Sequence, residues 1–292
     1  MCIKAYNKTK IERKLKNLNM KNSTSIAIGG FDGMHIGHQA LFDELDKNAT
    51  IVVIETGYAN LTPLEFRQLH TKHRVIYLKL DDIRHLGAKG FVNLLRVNFP
   101  KLTKIVVGYD FHFGKDRKYS YDDLKKIFDG EVVVVEEVKH NNDSVHSHKI
   151  RAKLQIGDIK GANEFLGHNY TIMGKRIDGQ GLGTKELVPT INLHVKDFLL
   201  PKEGVYVTLT RVDEEEHFHP SVSFIGHRVT TDDSFAVETH ILDGEITCKE
   251  NADISFVNFI RDNKKFDSLD ELKGQIQKDI KAANSFLQRL EL

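Results

Sequence analysis

A chain of 292 residues is longer than one core usually grows, so two domains are expected, and 40% apolar with 28% charged residues excludes a disordered or fibrous protein. With 42 basic and 41 acidic residues the net charge is +1, so no global field recruits nucleic acid or an anionic membrane, and any anion site for small substrates must be built locally. The two cysteines, Cys2 and Cys248, lack CxxC spacing, which excludes a disulfide framework and a thiolate zinc site and points to a reducing cytoplasm. The Lys- and Asn-rich stretch to Lys21 lacks the apolar run of a signal peptide, and no segment is long enough to cross a bilayer.

In the first half, continuous apolar runs at Ser25 to Ile28, Ile51 to Ile54, Val75 to Leu80, Lys104 to Val107 and Glu131 to Val135 predict strands buried on both faces. Helix-like segments near His38 to Leu45, Pro63 to His70, Gly87 to Phe99 and Ser120 to Phe128 alternate with them. The alternation predicts a doubly wound parallel sheet, which binds ligands at the carboxyl ends of its strands. A helix from His148 to Leu166, ending at Gly167, closes this domain, so the division expected is 1–167 and 168–292. Beyond it, Tyr170 to Ile177, Gly204 to Val212, Pro220 to Ile225, Phe235 to Leu242 and Asp253 to Phe259 predict a small antiparallel barrel. A terminal helix from Ser268 carries an apolar stripe of Leu269, Leu272, Ile276, Ile280, Ala283, Leu287 and Leu290, and Ser268 with Glu271 makes a capping box.

The segment from Ile28 to Gln39 lies between the first strand and the first helix. Its glycines at 29, 30, 33 and 37 let the main chain approach a phosphate, and the helix start offers free N–H groups. His35 and His38 stand three residues apart on one face and supply donors to phosphate oxygens that gain charge during transfer.

The run Gly29-Gly30-Phe31-Asp32-Gly33-Met34-His35-Ile36-Gly37-His38-Gln39 resembles the signature of HxGH nucleotidyltransferases, in the form found in prokaryotic bifunctional riboflavin kinase/FAD synthetases. Val107 to Arg117, with Gly108, Asp110, Phe111, Phe113 and Gly114, resembles that family's second block. Ser147, Ile150 and Arg151 resemble its S-S-T-x-I-R segment, with His146 and His148 departing from it. Ile54-Glu55-Thr56-Gly57-Tyr58 stands where the family has an F-D-P-H-P run. The resemblance implies nucleotide and flavin contacts by Gly30, Phe31, Asp32, Gly33, Gly37, Asp110, Phe113 and Ser147, with His35, His38 and Arg151 catalytic.

In the second half, Gly174 to Gly183, Pro189-Thr190-Ile191-Asn192, Gly204-Val205-Tyr206 and Val237 to Leu242 resemble riboflavin kinase blocks. By that resemblance Lys175, Gly179 and Gly183 contact the nucleotide, Thr190 and Asn192 hold Mg²⁺ and ATP phosphates, and Glu238 is the base. Phe259 to Leu269 resembles the family's ending, with Arg261 touching flavin or closing the pocket. Taken alone, the glycines would be a hairpin and Glu238 a solvated strand residue; their order and spacing favour function. The reaction implied is ATP-dependent conversion of riboflavin to FMN and of FMN to FAD. A kinase alone, with a degraded first domain, or a flavin- or nucleotide-binding regulator are the alternatives; oligomeric state is open.

Overall fold

The computed structural model describes residues 20–178, 188–213, 215–230, 233–244 and 246–290. Its first unit contains β1 (Ser25–Gly29), α1 (Ile36–Asp43), β2 (Ala49–Glu55), β3 (Arg74–Lys79), α2 (Leu80–Ile83), α3 (Ala88–Asn98) and β4 (Lys104–Gly108). A two-residue ribbon, β5 (His112–Phe113) and β6 (Tyr119–Ser120), precedes α4 (Tyr121–Ile127) and β7 (Glu131–Val135). The sheet runs β3-β2-β1-β4-β7, every pairing parallel.

Alternate residues of each strand serve opposite faces, which is why the sequence runs are continuously apolar. Ile26, Ile28, Val52, Ile105 and Val107 pack with Phe91, Val92 and Leu95 of α3, while Ala27, Ile51, Val53 and Val106 pack with Leu41 and Phe42 of α1. Each fully buried aliphatic side chain contributes roughly 1.5–3 kcal/mol. The chain steps outward from β1 to β2 and β3, then returns to place β4 on the other side of β1. That reversal makes the β1/β4 edge a topological switch point, where the carboxyl ends of the strands leave a crevice. The segment read as a helix from Pro63 is a 3₁₀ run, Leu64–His70, whose first residue is already left-handed at φ 46°.

The ribbon β8 (Lys139–His140) and β9 (Asp143–Ser144) leads to α5 (Ser147–Ile156) and α6 (Ile159–Leu166). The single helix expected over His148 to Leu166 is therefore two. Gly157, at φ 82°, stops the first, and Asp158 caps the second by accepting from the Gly161 amide. The expected left-handed stop at Gly167 is present, at φ 75°. The break between the two compact units falls between Ser147 and His148, ahead of the expected Gly167. Both helices side with the barrel: Lys202 donates its amide to Leu154 O, Tyr170 its amide to Asn163 Oδ1, and Asn163 Nδ2 donates to Phe256 O.

That barrel is closed and antiparallel, ordered β10 (Thr171–Ile177), β11 (Ile191–Val195), β14 (Phe235–Ile241), β13 (His219–His227), β12 (Gly204–Val212), β15 (Asn251–Asp262). β11 is a strand that the sequence pattern did not separate from the Pro-Thr block ahead of it. The terminal helix α7 (Leu269–Arg289) lays Ala283 and Leu287 on Val207, Leu209 and Val222, so those residues face outward. Their neighbours Thr208, Thr210, Ser221, Ser223 and Thr239 face the barrel interior, at 1% exposure or less. Their hydroxyls close a five-membered ring: Thr208–Ser221, Ser221–Thr210, Thr210–Thr239, Thr239–Ser223 and Ser223–Thr208, each 2.8–2.9 Å. Five hydroxyls each giving one hydrogen and accepting one satisfy a polar core without water.

Candidate functional site

The first site grows from the loop between β1 and α1, at the switch point. Phe31 and Met34 sit at φ 48° and 47°, and Gly33 between them at 89°, so the loop is wound through a backbone region costly for L side chains. Burial and a carboxylate hold it there. Phe31 and Met34 are at most 3% exposed, and Asp32 Oδ1 accepts from the amides of Leu61 and Thr62 while Oδ2 accepts from Asn60. Thr62 Oγ1 in turn accepts from the Gly33 amide at 2.8 Å, and Ser147 Oγ donates to Asp32 O at 2.7 Å.

This shaped loop presents the histidines. His35 is the N-cap of α1, its Nδ1 accepting from the His38 amide at 3.3 Å. A Cβ at position 37 would lie 3.2 Å from the His35 ring, so Gly37 leaves the space that ring needs. Phe31 meets the edge of His38 at 5.2 Å. Burial, followed by the nearby His35, Arg67 and His146, holds the His38 pKa well below its ordinary value, so the ring is neutral at neutral pH. Its Nδ1 is buried without a hydrogen-bond partner among the described residues.

Several of the residues read as ligand contacts are spent on this architecture. Phe31 is core, and Phe113 is core as well, packed on Phe91, Phe111 and Tyr119. The Asp32 carboxylate, the Gly33 amide and the Ser147 hydroxyl brace the loop. Gly30 is open, with nothing within 4 Å of an added Cβ. Asp110 is exposed just after β4, one strand over from the histidine loop. Arg151 follows Ser147 by four residues on α5 and so shares its helical face.

Three groups near this loop escaped the sequence reading. Arg67, fully buried, donates to Phe31 O and Leu64 O and lies 2.9 Å from Glu55 Oε1, an ion pair without hydrogen-bond alignment. Tyr109 donates to Glu137 Oε1 at 3.1 Å, and His146 Nε2 lies 3.6 Å from the same oxygen. The Tyr109 hydroxyl is the main cause holding the Glu137 carboxyl below its usual range. The segment 60–62 carries the third group, the brace on Asp32. The contacts to Asp32, to Phe31 O and from Tyr109 to Glu137 join residues 28 to 36 positions apart, and no local spacing announces them.

The second site is on the barrel wall. Asn192 of β11 and Glu238 of β14 are directly paired across the antiparallel ladder, so their side chains share the outer face, opposite the hydroxyl ring. Arg228, next after β13, reaches both: Nε donates to Glu238 Oε1 at 2.7 Å, Nη2 to Asn192 Oδ1 at 2.7 Å, and Nη1 to Ser234 Oγ at 2.8 Å. Asn192 Nδ2 approaches Thr190 Oγ1 at 3.5 Å, and His240 Nδ1 holds Pro189 O at 2.7 Å, which anchors the Pro-Thr segment to β14. Lys175, exposed on β10, is two residues from Ile177, the partner of Asn192, and therefore lies on the same face. Gly179 and Gly183 lie outside the described residues. Arg261 is engaged elsewhere: Nε and Nη2 grip Asp279 of α7 at 2.7–3.1 Å, and Nη1 donates to Asp262 O.

A switch-point loop carrying an H-x-G-H pair in one unit and, in the other, a closed barrel whose wall gathers a carboxylate, an amide and a hydroxyl define a two-site nucleotide-dependent transferase. A model of the riboflavin kinase family matches residues 166–287, and a model of the FAD synthetase family matches 17–57 and 65–149. A bifunctional riboflavin kinase/FMN adenylyltransferase of Listeria monocytogenes is 31% identical over 295 residues, covering 91% of this chain and 93% of the relative. One from Pseudomonas fluorescens is 32% identical over 304 residues, covering 94% and 96%. A crystal structure described as a macrolide-efflux protein from Streptococcus pneumoniae superposes with a TM-score of 0.80 at 26% identity, covering 92% of this chain and 96% of that one. The chain belongs to the bifunctional riboflavin kinase/FMN adenylyltransferase family.

Proposed function

We propose that the family's two reactions divide between the two sites: adenylyl transfer from ATP to FMN at the β1/β4 crevice, and phosphoryl transfer from ATP to riboflavin on the β11/β14 wall. The division at 167/168 read from the sequence assigns the activities in the same order along the chain. The observation that carries the reading is that each unit keeps a built constellation, the His35/His38 pair in one and Thr190, Asn192, Arg228 and Glu238 in the other.

At the first site the nucleophile is the terminal phosphate of FMN. Its second pKa is about 6, so it is largely ionised at neutral pH and needs no strong base. The task is charge stabilisation. Neutral His38, with its unpartnered Nδ1, and His35 supply hydrogen bonds to the α-phosphate and the departing pyrophosphate. The first turn of α1 adds amide donors. Gly30 and Asp110 border the same crevice.

At the second site a ribityl hydroxyl must lose its proton, and Glu238 accepts it. Thr190 Oγ1 is a hard donor of the kind Mg²⁺ prefers; the neighbouring Asn192 turns its Nδ2 toward it and its Oδ1 to Arg228, so that oxygen would reach the ion through its second lone pair. When bound, Mg²⁺ would neutralise charge that builds up on the phosphates during transfer. Lys175 extends the same face toward the phosphates. Among the described residues no helix is long and apolar enough to cross a membrane, and water-soluble substrates with a buried reduced thiol at Cys248 suit a cytoplasmic enzyme.

Chromatographic separation of riboflavin, FMN and FAD after incubation with riboflavin, ATP and Mg²⁺ tests the reading. Wild type yields FMN and then FAD, His38→Ala stops at FMN, and Glu238→Gln makes FAD only when given FMN. FMN without FAD in wild type selects the kinase-only reading, which the Ile54 to Tyr58 departure motivates. Binding without turnover selects a regulator.

A further inference from the structure

We propose that Arg228 is the positioning residue of the barrel site, holding the base Glu238 and the ligand Asn192 in one frame. The proposal rests on the kinase reading of that site and adds to it a residue that neither binds nor reacts. Glu238 and Asn192 come from different strands, and their ladder pairing fixes only their backbones. Each side chain has free torsions beyond Cβ, so a base aimed at a hydroxyl needs a further restraint. The Arg228 fork supplies it: one guanidinium engages Glu238 Oε1, Asn192 Oδ1 and Ser234 Oγ, at 2.7, 2.7 and 2.8 Å.

Planarity matters here. The guanidinium's donors leave in fixed directions, so three partners held at once lock the plane and, through it, the distance between Glu238 and Asn192. Among the described residues both hydrogen bonds to Glu238 fall on Oε1, and the carboxylate is thereby oriented with Oε2 as the oxygen for the substrate hydroxyl. The Arg228 backbone is itself pinned, donating its amide to Ser234 O at 2.9 Å and accepting from the Asp233 amide at 3.2 Å, so the fork stands on a closed turn. Side-chain exposure of 19% for Arg228 and 21% for Glu238 makes the pair half-shielded, and solvent competes weakly for it.

A lysine ammonium is a point charge on a flexible stem and cannot hold Glu238, Asn192 and Ser234 simultaneously. Arg228→Lys and Arg228→Ala are therefore both expected to lower kcat for riboflavin phosphorylation by about 10- to 100-fold, the share of base catalysis that depends on aim. KM for riboflavin changes less than about threefold, since the residue does not touch substrate. Adding methylguanidine to Arg228→Ala restores part of kcat, and adding it to Arg228→Lys, whose site is filled, restores none. Conversion of supplied FMN to FAD stays at the wild-type rate and reports that the first unit is intact, and an unchanged thermal unfolding transition reports the barrel; should the alanine variant fail to fold, the lysine variant decides alone. A wild-type kcat in the lysine variant, or a loss seen wholly in KM, overturns the proposal while leaving the kinase reading intact. Absence of FMN from wild type would instead remove the kinase reading.

Discussion

The imidazoles of His35 and His38 lie face to face, ring centroids 3.5 Å apart and planes inclined by 18°. Two stacked rings both carrying a proton would repel, and His38 is held neutral by burial first and by its positive neighbours second. Its folded pKa is depressed below 6.5. Above that pH neither the folded nor the unfolded state carries the charge, so His38 contributes no pH dependence there. As pH falls below about 6.5 the unfolded chain takes up a proton that the folded site refuses, and stability falls by up to about 1.4 kcal/mol per pH unit. His38→Gln is expected to flatten the stability curve between pH 6.5 and 5 in urea unfolding. An unchanged slope would mean the ring is protonated in the fold.

Asp32 gives a separate handle on the same loop. Its carboxylate accepts three amides from Asn60, Leu61 and Thr62, and this holds a backbone wound through left-handed conformations. In Asp32→Asn one oxygen becomes an NH₂ group facing an amide donor, a loss of about 1–3 kcal/mol. FAD formation from FMN should fall about 10-fold or more, with FMN formation from riboflavin unaffected. Equal activity in both assays would assign Asp32 no part in shaping the site.

These two residues show what the sequence revealed and what it withheld. The order Gly-Gly-Phe-Asp-Gly-Met-His-Ile-Gly-His was legible because strand, turn and helix are local events, and the five strands were legible from apolar continuity, although the edge strand β7 is only partly buried. What Asp32 does was not, because its partners are 28 to 30 residues away. The break at Gly157-Asp158 is written in local residues, a left-handed stop followed by a cap, beneath a run of helical periodicity that continues across it. Arg261 and Arg228 illustrate the remaining difficulty. No local spacing names their partners: only the packed barrel shows that the first grips Asp279 while the second joins Glu238 to Asn192.

The hydroxyl ring predicts an unusual sensitivity to a small change. Thr239→Val keeps the shape but removes one hydroxyl from a closed ring of five, leaving Ser223 and Thr210 each short of a partner in a dry interior. The expected destabilisation is about 1–3 kcal/mol, larger than a surface Thr→Val change would give. Guanidinium unfolding of the full chain, followed by a probe in the barrel, measures it. A change within 0.5 kcal/mol, taken here as roughly the range of ordinary surface substitutions, would mean that water enters the barrel.

The terminal helix is fastened by charge as well as by its apolar stripe. Asp279 is 3% exposed and takes both Arg261 and Gln275 Nε2. Asp279→Ala leaves the Arg261 guanidinium, 20% exposed, without its carboxylate, and the expected loss is about 2–4 kcal/mol after allowing for partial solvent access. Replacing both residues together, Arg261→Met with Asp279→Leu, should recover most of that loss, since no buried charge is then left unpaired. If the double variant is as unstable as the single one, the pair does more than hold the helix.

His219 carries the opposite pH signature to His38. Its Nδ1 lies 3.2 Å from Asp243 Oδ2 and its Nε2 2.9 Å from Glu215 Oε2, so the ring bridges the β12–β13 connection and the segment after β14. Only the doubly protonated ring donates to both carboxylates. Partial burial opposes that charge, but the hydrogen bonds of Glu215 and Asp243 outweigh it, and the pKa is raised above 6.5. A raised folded value means that the stabilisation is fully present below about 6.5 and is lost as pH climbs through the folded value. Because both carboxylates are 45% exposed, the total is at most about 1 kcal/mol. An NMR titration of the His219 ring proton should place its midpoint above 6.5, and Glu215→Gln with Asp243→Asn should return it toward 6.5. A midpoint at or below 6.5 in the wild type would show that the bridge is broken in solution.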